Sequence, residues 1–367
     1  MNFKLAFLAI KKMTLIKSLV ITLSVITFYS CQVEEDTDIT NPISTSSRAR
    51  QQKTVKLSVM SYNVFQLPQS AIDLTGYGYK EAERARAFAA KFQDLQRRNE
   101  TPDVLVIQEA FNNKIGDVLN SNNFNSIYPY STRLIGISCD ETLLTAGPDS
   151  GVIFSGDCQG DNFHVNGGIR IFSKYPIEDT AEHIWVAKGF QEGFANKGVS
   201  YAAIRKDGER FHIFGTHTNS STNDTNGSTA EIRENQFLEM ADFASILAIR
   251  RNISINEPII FAGDMNTEPS EISNMLTILN SHLNFPNQHE GSYSYKNSVV
   301  ENTYLKEDGA DQLYNNTLDF VLYSRDFKQP EGRPQMRVTP LKALSGSGYS
   351  GDISDHHPVV VDFTFKY

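Results

Sequence analysis

Ser354-Asp355-His356 stands just ahead of the apolar run Val359-Val360-Val361-Asp362-Phe363. The run reads as a strand, and the triplet sets an acid and an imidazole at its mouth. Such a pair can serve a metal ion or a reacting phosphate. Alone it says little, because Asp-His pairs are common in solvated loops. Its weight depends on the partners upstream, each near an apolar run of its own.

Working backwards, Leu318-Asp319-Phe320-Val321-Leu322 is one such run, with Asp319 inside it. Pro258-Ile259-Ile260-Phe261-Ala262 is a buried strand that ends at Gly263-Asp264-Met265-Asn266. Residues 199–204 and 210–216 read as strands joined through Asp207-Gly208, a hairpin signal, and the second ends at Thr216-His217. Val104-Leu105-Val106-Ile107 runs into Gln108-Glu109. Residues 55–64 alternate apolar and polar and end at Tyr62-Asn63. Residues 167–172 form a short strand before Lys174-Tyr175-Pro176. Two stretches have helical spacing instead: residues 82–96, through Ala85, Phe88, Ala89, Phe92 and Leu95, and residues 230–251. Strands and helices intermix without a repeat or an internal linker. Residues 54–367 therefore read as one α/β domain.

The collected set is Asn63, Glu109, His217, Asp264, Asn266, Asp319, Asp355 and His356. All but Asp319 lie at or just beyond an end of a strand-like run, where side chains from one rim can converge. Hard oxygen donors with two imidazoles suit Mg²⁺-assisted phosphoryl chemistry. Singly, each has an ordinary structural explanation: a surface carboxylate, a backbone partner, a satisfied core histidine. Together they favour function. No Gly-x-Ser-x-Gly elbow is present, which removes that serine-hydrolase class. Lys197, ahead of Gly198, is either a phosphate contact or a solvated turn lysine.

The 367 residues carry 34 Lys+Arg against 43 Asp+Glu, a formal charge of −9, with no basic run. That balance argues against nucleic acid as the main partner, since proteins bound to phosphate backbones are usually basic. Acidic pockets do suit divalent cations.

At the N-terminus, Lys11, Lys12 and Lys17 precede an apolar stretch, residues 19–29, that ends at Ser30-Cys31. A basic start, a short apolar core and a small residue before the cut describe a secretory signal, too short for a stable span. Phe28-Tyr29-Ser30-Cys31 resembles a bacterial lipobox, although Phe28 departs from the usual leucine. Residues 1–31 are thus expected to be a lipoprotein signal, with Cys31 lipidated and tethering the protein to its own membrane. Gln32-Val33-Glu34-Glu35-Asp36 resembles an acidic surface-export tag. Residues 32–53 read as a disordered tether and 54–367 as the catalytic domain. The expected location is the outer membrane or cell surface, with release from the cell as the alternative, and the expected state is a monomer. Cys139 and Cys158 flank a Gly/Ser/Asp-rich loop and would pair in an oxidising compartment, or else remain free thiols.

The ordered motifs Tyr62-Asn63-Val64, Gln108-Glu109, Gly215-Thr216-His217, Gly263-Asp264-Met265-Asn266, Leu318-Asp319-Phe320 and Ser354-Asp355-His356 resemble the endonuclease/exonuclease/phosphatase superfamily. The resemblance implies a four-layer α/β/β/α sandwich, the deoxyribonuclease-I-like fold, with a metal site at one edge. Asn63-Val64-Phe65-Gln66-Leu67, Glu109-Ala110-Phe111-Asn112-Asn113, Gly167-Gly168-Ile169-Arg170-Ile171-Phe172-Ser173-Lys174-Tyr175-Pro176-Ile177 and Asn196-Lys197-Gly198 resemble bacterial sphingomyelinases within it.

The resemblance implies Mg²⁺, or Mn²⁺ or Co²⁺, held by Glu109 with Asn63 nearby, and it places Asp264, Asn266, Asp355 and His356 around the ion. It implies His356 as general base oriented by Asp319, with His217 donating to the phosphate or to the leaving alkoxide. Phe111, Lys197, Asn266 and His217 would contact a sphingolipid at a membrane surface, giving ceramide and phosphocholine.

Departures are visible. Ser345-Gly346-Ser347-Gly348-Tyr349-Ser350-Gly351 holds one aromatic where haemolytic relatives carry an aromatic-tipped hairpin. Phe190 stands where secreted relatives place a cysteine, and Asn166 stands where an acid is usual, leaving the partner of His217 open. The rivals are a phospholipase C or phosphatase for another lipid head group, a surface nuclease, and a binding module without chemistry.

Overall fold

Alternation along Thr54–Gln66 sorts the layers of the molecule. In the computed structural model, Val55, Leu57 and Val59 belong to the core between two sheets. Met60, Tyr62 and Val64 belong to a second core beneath helices. A strand turns successive side chains to opposite faces, so one strand serves both layers. Ser61 and Asn63 continue the inward row, and the row turns polar as it reaches the rim.

The structure describes residues 52–75, 80–139, 153–161, 163–190, 192–220, 228–284, 293–294 and 315–367. Residues 1–51 lie outside that description, so the signal, the lipobox and Cys31 fall outside the described residues. The longer strands, in chain order, are β1 (Thr54–Gln66), β2 (Val104–Ala110), β3 (Arg170–Ser173), β4 (Ile177–Ile184) and β5 (Gly198–Lys206). They continue with β6 (Glu209–His217), β7 (Ile259–Asp264), β8 (Asp319–Ser324), β9 (Met336–Val338) and β10 (Val359–Lys366). A six-stranded sheet has the order β9-β10-β1-β2-β3 and then Tyr130–Ser131. A seven-stranded sheet runs Ser281–His282, β8-β7-β6-β5-β4 and Ile153–Gly156. Helices α1 (Glu81–Arg97), α2 (Asn113–Leu119) and α3 (Asn122–Ile127) cover the outer face of the first sheet. Helix α4 (Thr229–Arg250) covers the second, where Phe243 meets Phe214 edge-on. The result is the expected four-layer α/β/β/α sandwich.

Local chemistry explains the elements. Helix α1 opens with Glu81 and Glu83 and closes with Arg97, charges that complement its dipole. Asp207 and Gly208, both at positive φ, make the tight turn between β5 and β6. Gly215 is required by close approach, because a Cβ there would lie 2.7 Å from Val106 of the opposite sheet. Helix α1 begins and ends one residue outside the expected span, and α4 one residue earlier at each end. Strand β4 is an addition to the sequence reading. Glu178, Asp179 and Glu182 break its apolar alternation, and its place is set by pairing with β5. Buried Glu182 is satisfied by Arg133 and by the Gly136 N–H. Asp319 is not inside its strand but opens it, because Leu318 precedes the ladder. Among the described residues no helix is long and apolar enough to cross a membrane.

Phe172 anchors the helix-side core, meeting Phe124 edge-on at 5.1 Å and Tyr128 at 6.2 Å. Phe172→Ala is expected to cost about 3–5 kcal/mol. Urea unfolding of the two proteins measures it, and a loss under about 1 kcal/mol would contradict this packing.

Candidate metal and catalytic site

Strand register assembles the site. His217 ends β6 and pairs with Asp264 at the end of β7, which pairs with Asp319 at the start of β8. Three polar side chains thus stand in one row across neighbouring strands. In the other sheet Asn63 of β1 is in register with Gln108 of β2. Ser61 pairs with Val359, so the loop before β10 arrives beside Asn63. Ser354 fixes it there: its hydroxyl donates to Asn63 O at 2.6 Å and accepts from the His356 N–H at 3.2 Å.

Asn63 bridges the sheets. Its Nδ2 donates to Glu109 Oε1 and to Asp264 Oδ2, each at 2.9 Å. By alternation Glu109 would face the helices with Leu105 and Ile107. Its φ of 56° breaks the alternation and turns the carboxylate toward Asn63. Phe65 and Asn266 are also left-handed, at 47° and 44°. Such strain in non-glycine residues gathers at functional sites. Gly168 completes the turn, since a Cβ there would meet the Phe111 ring at 2.9 Å and Glu109 Cα at 3.1 Å.

His217 Nε2 lies 3.6 Å from Asp264 Oδ2, 3.9 Å from Glu109 Oε1 and 3.4 Å from the Lys197 ammonium. His356 Nδ1 bonds Asp319 Oδ2 at 2.7 Å, and its Nε2 is 3.7 Å from Asp264 Oδ2. Asp264 is shared by two clusters of possible ligands: Glu109, His217 and Asp264, and Asp264, Asp319 and His356. Asn266 is oriented by Asp264, which accepts its N–H, and by Thr218 O, which accepts its Nδ2.

The fit to a hard cation rests on this donor set and on a dry oxygen. Glu109 Oε2 is buried with no hydrogen-bond partner among the described residues. Burial and Asp355 raise the Glu109 carboxyl. Burial, then Asp319, pushes Asp264 up to about 7. Crowded carboxylates that repel one another in a dry cleft are what a divalent ion relieves. Oxygen donors suit Mg²⁺. Glu109 and Asp264 would hold it, while Asn63, whose Nδ2 donates to both carboxylates and whose Oδ1 accepts the Phe65 N–H, would orient them and does not join as a ligand.

The two imidazoles are pushed in opposite directions. Burial, then Lys197 and His356, hold His217 well below its usual value. Burial would depress His356 too, but Asp319 and Asp264 outweigh it and hold His356 well above.

A carboxyl raised in the fold stabilises it most when protonated. The Asp264 contribution is full below its unfolded value near 3.8 and is lost as pH rises through about 7. A cation takes the place of that proton. The rise in melting temperature on adding Mg²⁺ is therefore expected to be larger at pH 8 than at pH 5.5. Thermal unfolding at both values, with and without the ion, checks it; an equal rise would remove the argument.

The remaining expected residues fall as follows. Asp355 joins neither ligand cluster. Its carboxyl is raised by burial, with His356 and Arg84 opposing, and it acts on Glu109 through charge. Lys197 is not a solvated turn lysine: it is buried and pairs with Glu192 at 2.6 Å. Phe111 packs against the backbone at Gly168 beside Glu109. Cys139 and Cys158 form a disulfide with Cα atoms 5.5 Å apart. Asn166 donates nothing to His217; its Oδ1 accepts the Gly168 N–H, and His217 Nδ1 has no hydrogen-bond partner among the described residues.

Two supports were not anticipated. Buried Arg84 donates to Val64 O and Ile353 O at 3.2 Å, and to Phe65 O, tying the rim of β1 to the Ser354 loop. Its signal was present, for Arg84 falls on the same helical stripe as Phe88 and Phe92. Trp185 Nε1 donates to His217 O at 3.0 Å, a contact that no local pattern announces.

Comparison with known proteins agrees with this geometry. Residues 60–356 match the Endonuclease/Exonuclease/phosphatase family, and the chain belongs to that family. Within it, the chain is 31% identical over 312 residues to Sphingomyelinase C of Leptospira interrogans, covering 83% of this chain and 51% of that protein. The chain thus spans about half the length of that relative. It is 29% identical over 326 residues to Phospholipase C of Staphylococcus aureus, covering 86% of this chain and 89% of that one. Mutant beta toxin of Staphylococcus aureus, solved with bound magnesium ions, superposes with a TM-score of 0.66 at 26% identity, over 84% of this chain and 99% of that one.

Proposed function

We propose that the protein is a Mg²⁺-dependent phosphodiesterase that hydrolyses sphingomyelin to ceramide and phosphocholine. The single observation that carries the reading is Asp264, shared between the Glu109–His217 cluster and the His356–Asp319 pair. It sets carboxylates that suit a cation beside an oriented imidazole. The similarity to Sphingomyelinase C and Phospholipase C supports the substrate class.

When bound, the ion supplies charge neutralisation at the phosphate oxygens. Asp319 fixes His356 through Nδ1 and leaves Nε2 for the proton of the attacking water. His356 must first lose the proton that Asp319 and Asp264 favour, and neutralising Asp264 weakens that hold. Oxygen from water bonds to phosphorus as the bond from phosphorus to the ceramide oxygen breaks. His217 and Lys197, 3.4 Å apart, form a polar corner that receives a phosphate oxygen. The proton accepted by His356 passes through solvent to the departing ceramide oxygen, which leaves as the alcohol and returns the imidazole to its neutral form.

The test is a substrate panel of sphingomyelin, phosphatidylcholine, phosphoinositides and plasmid DNA, each with Mg²⁺ and with EDTA. Phosphocholine release from sphingomyelin in Mg²⁺ alone is the expected result. Cleavage confined to another substrate would overturn the head-group assignment.

The protein is further proposed to be exported and tethered through lipidated Cys31. Cys31→Ser is expected to move it from the membrane fraction to the soluble fraction. Retention of that variant in the membrane fraction would contradict the tether.

A further inference from the structure

The segment ahead of Ser354 offers a bilayer no apolar anchor. Its one aromatic, Tyr349, is 9% exposed and donates its hydroxyl to Asp352 O at 2.9 Å. Apolar surface lies elsewhere, on the loops that lead to Lys197. Phe163 is 82% exposed, Phe190 56% and Phe194 49%. The Phe190 and Phe194 rings meet edge-on at 6.0 Å, and Phe194 lies 5.8 Å from the His164 imidazole. Exposed Ile137 and the partly buried His164 line one cavity of about 440 Å³.

This patch adjoins the reactive centre through a few residues of chain. Glu192, in the same turn as Phe194, pairs with Lys197, and Lys197 reaches His217. The base beneath it is braced. Asn196 Nδ2 donates to Gly136 O at 3.2 Å and to Gln159 O at 3.0 Å, while its Oδ1 accepts the Gln159 N–H. The Cys139–Cys158 disulfide closes the same loop.

Grouped exposed phenylalanines are poorly hydrated and mark a contact surface. The partner is identified by position and charge. Under the reading proposed above, on which this inference rests, the substrate lies in a bilayer, so the site must meet lipid. A formal charge of −9 disfavours attraction to anionic membranes and leaves apolar contact with a neutral one. We propose that Phe163, Phe190 and Phe194, with Ile137, form an interfacial anchor that seats the Lys197 side of the site on a zwitterionic lipid surface.

The test compares the full chain with a triple variant, Phe163→Ser, Phe190→Ser and Phe194→Ser, both carrying Cys31→Ser so that no lipid tether holds either to a vesicle. Binding is read by sedimentation with phosphatidylcholine–sphingomyelin vesicles in EDTA, where no turnover is expected. Turnover in Mg²⁺ is read on the same vesicles and on water-soluble p-nitrophenyl phosphocholine. The variant is expected to lose about tenfold or more in vesicle binding and in vesicle turnover, while soluble turnover stays within about twofold. Vesicle binding equal to that of the unmodified chain overturns the anchor, as does a failure of the unmodified chain to bind. Vesicle binding that depends on the phenylalanines, without any sphingomyelin cleavage, keeps the anchor and overturns the substrate assignment. Should the triple variant not fold, Phe163→Trp answers the same question. Its emission is expected to shift to the blue on adding vesicles, and an unshifted spectrum overturns the anchor.

Discussion

Replacing His356 with alanine is expected to lower turnover on sphingomyelin by about 10²–10⁴, the usual contribution of a positioned acid or base. The side chain sits at the junction of the site. Its Nδ1 is taken by Asp319 at 2.7 Å and its Nε2 faces Asp264 at 3.7 Å. No neighbouring imidazole can replace it. His217 stands across Asp264, and His357 is pushed down to about 4 by burial and then by His356. The Asp319→Asn variant gives a second reading. It keeps the shape and removes the charge that fixes the His356 tautomer, so it should act through the same step. The double variant should then lose little more than His356→Ala alone, because residues acting as a unit are not additive. Single-turnover rates on the three variants decide it. Near-normal turnover of His356→Ala would remove the assignment, and fully additive losses would separate Asp319 from it.

Glu109→Ala is expected to abolish the response to Mg²⁺ together with activity. Glu109 holds its left-handed backbone to aim a carboxylate with one dry oxygen into the cleft. Removing it takes away the principal hard donor and relieves the crowding that a cation would neutralise. An ion that binds only the folded state stabilises by about 2.7 kcal/mol at one hundred times its dissociation constant. That increment should appear as a Mg²⁺-dependent rise in melting temperature of the unmodified chain and vanish in Glu109→Ala. EDTA should do the same to the unmodified chain and stop its turnover, with Mg²⁺ restoring both. The melting temperature is read without substrate, so it tests the ion site even if the head-group assignment fails. Full turnover in chelator, or an unchanged Mg²⁺ response in Glu109→Ala, would end the cation site as described.

Much of the fold was legible because its strands and helices obey short periods. Residues 55–64 alternate, Ala85, Phe88, Phe92 and Leu95 fall on one helical face, and Asp207-Gly208 takes the left-handed turn that the residue types favour. Strand β4 was not legible, because its acids are acceptable only where Arg133 and the neighbouring ladder receive them. Candidate site residues were legible as polar groups ending apolar runs. Their roles were less so. Asp355 looked like a ligand beside His356, yet it joins neither ligand cluster, and its charge acts on Glu109 from nearby. Lys197 could be read as a phosphate contact or as a solvated turn lysine, and only the packing around it reveals Glu192 and His217 as its neighbours.

By itself the sequence determined the strands, the helices and the cast of polar side chains, because backbone periods of two and 3.6 residues write burial directly into residue order, while the family and its layers were implied by the resemblance of six ordered motifs. Tertiary structure alone decided that His217, Asp264 and Asp319 share a row, that Glu109 turns inward, and that Arg84 ties two distant segments together. Those outcomes depend on ladder register and on pairing between segments far apart in the chain, and such pairing leaves no periodic trace in any local stretch.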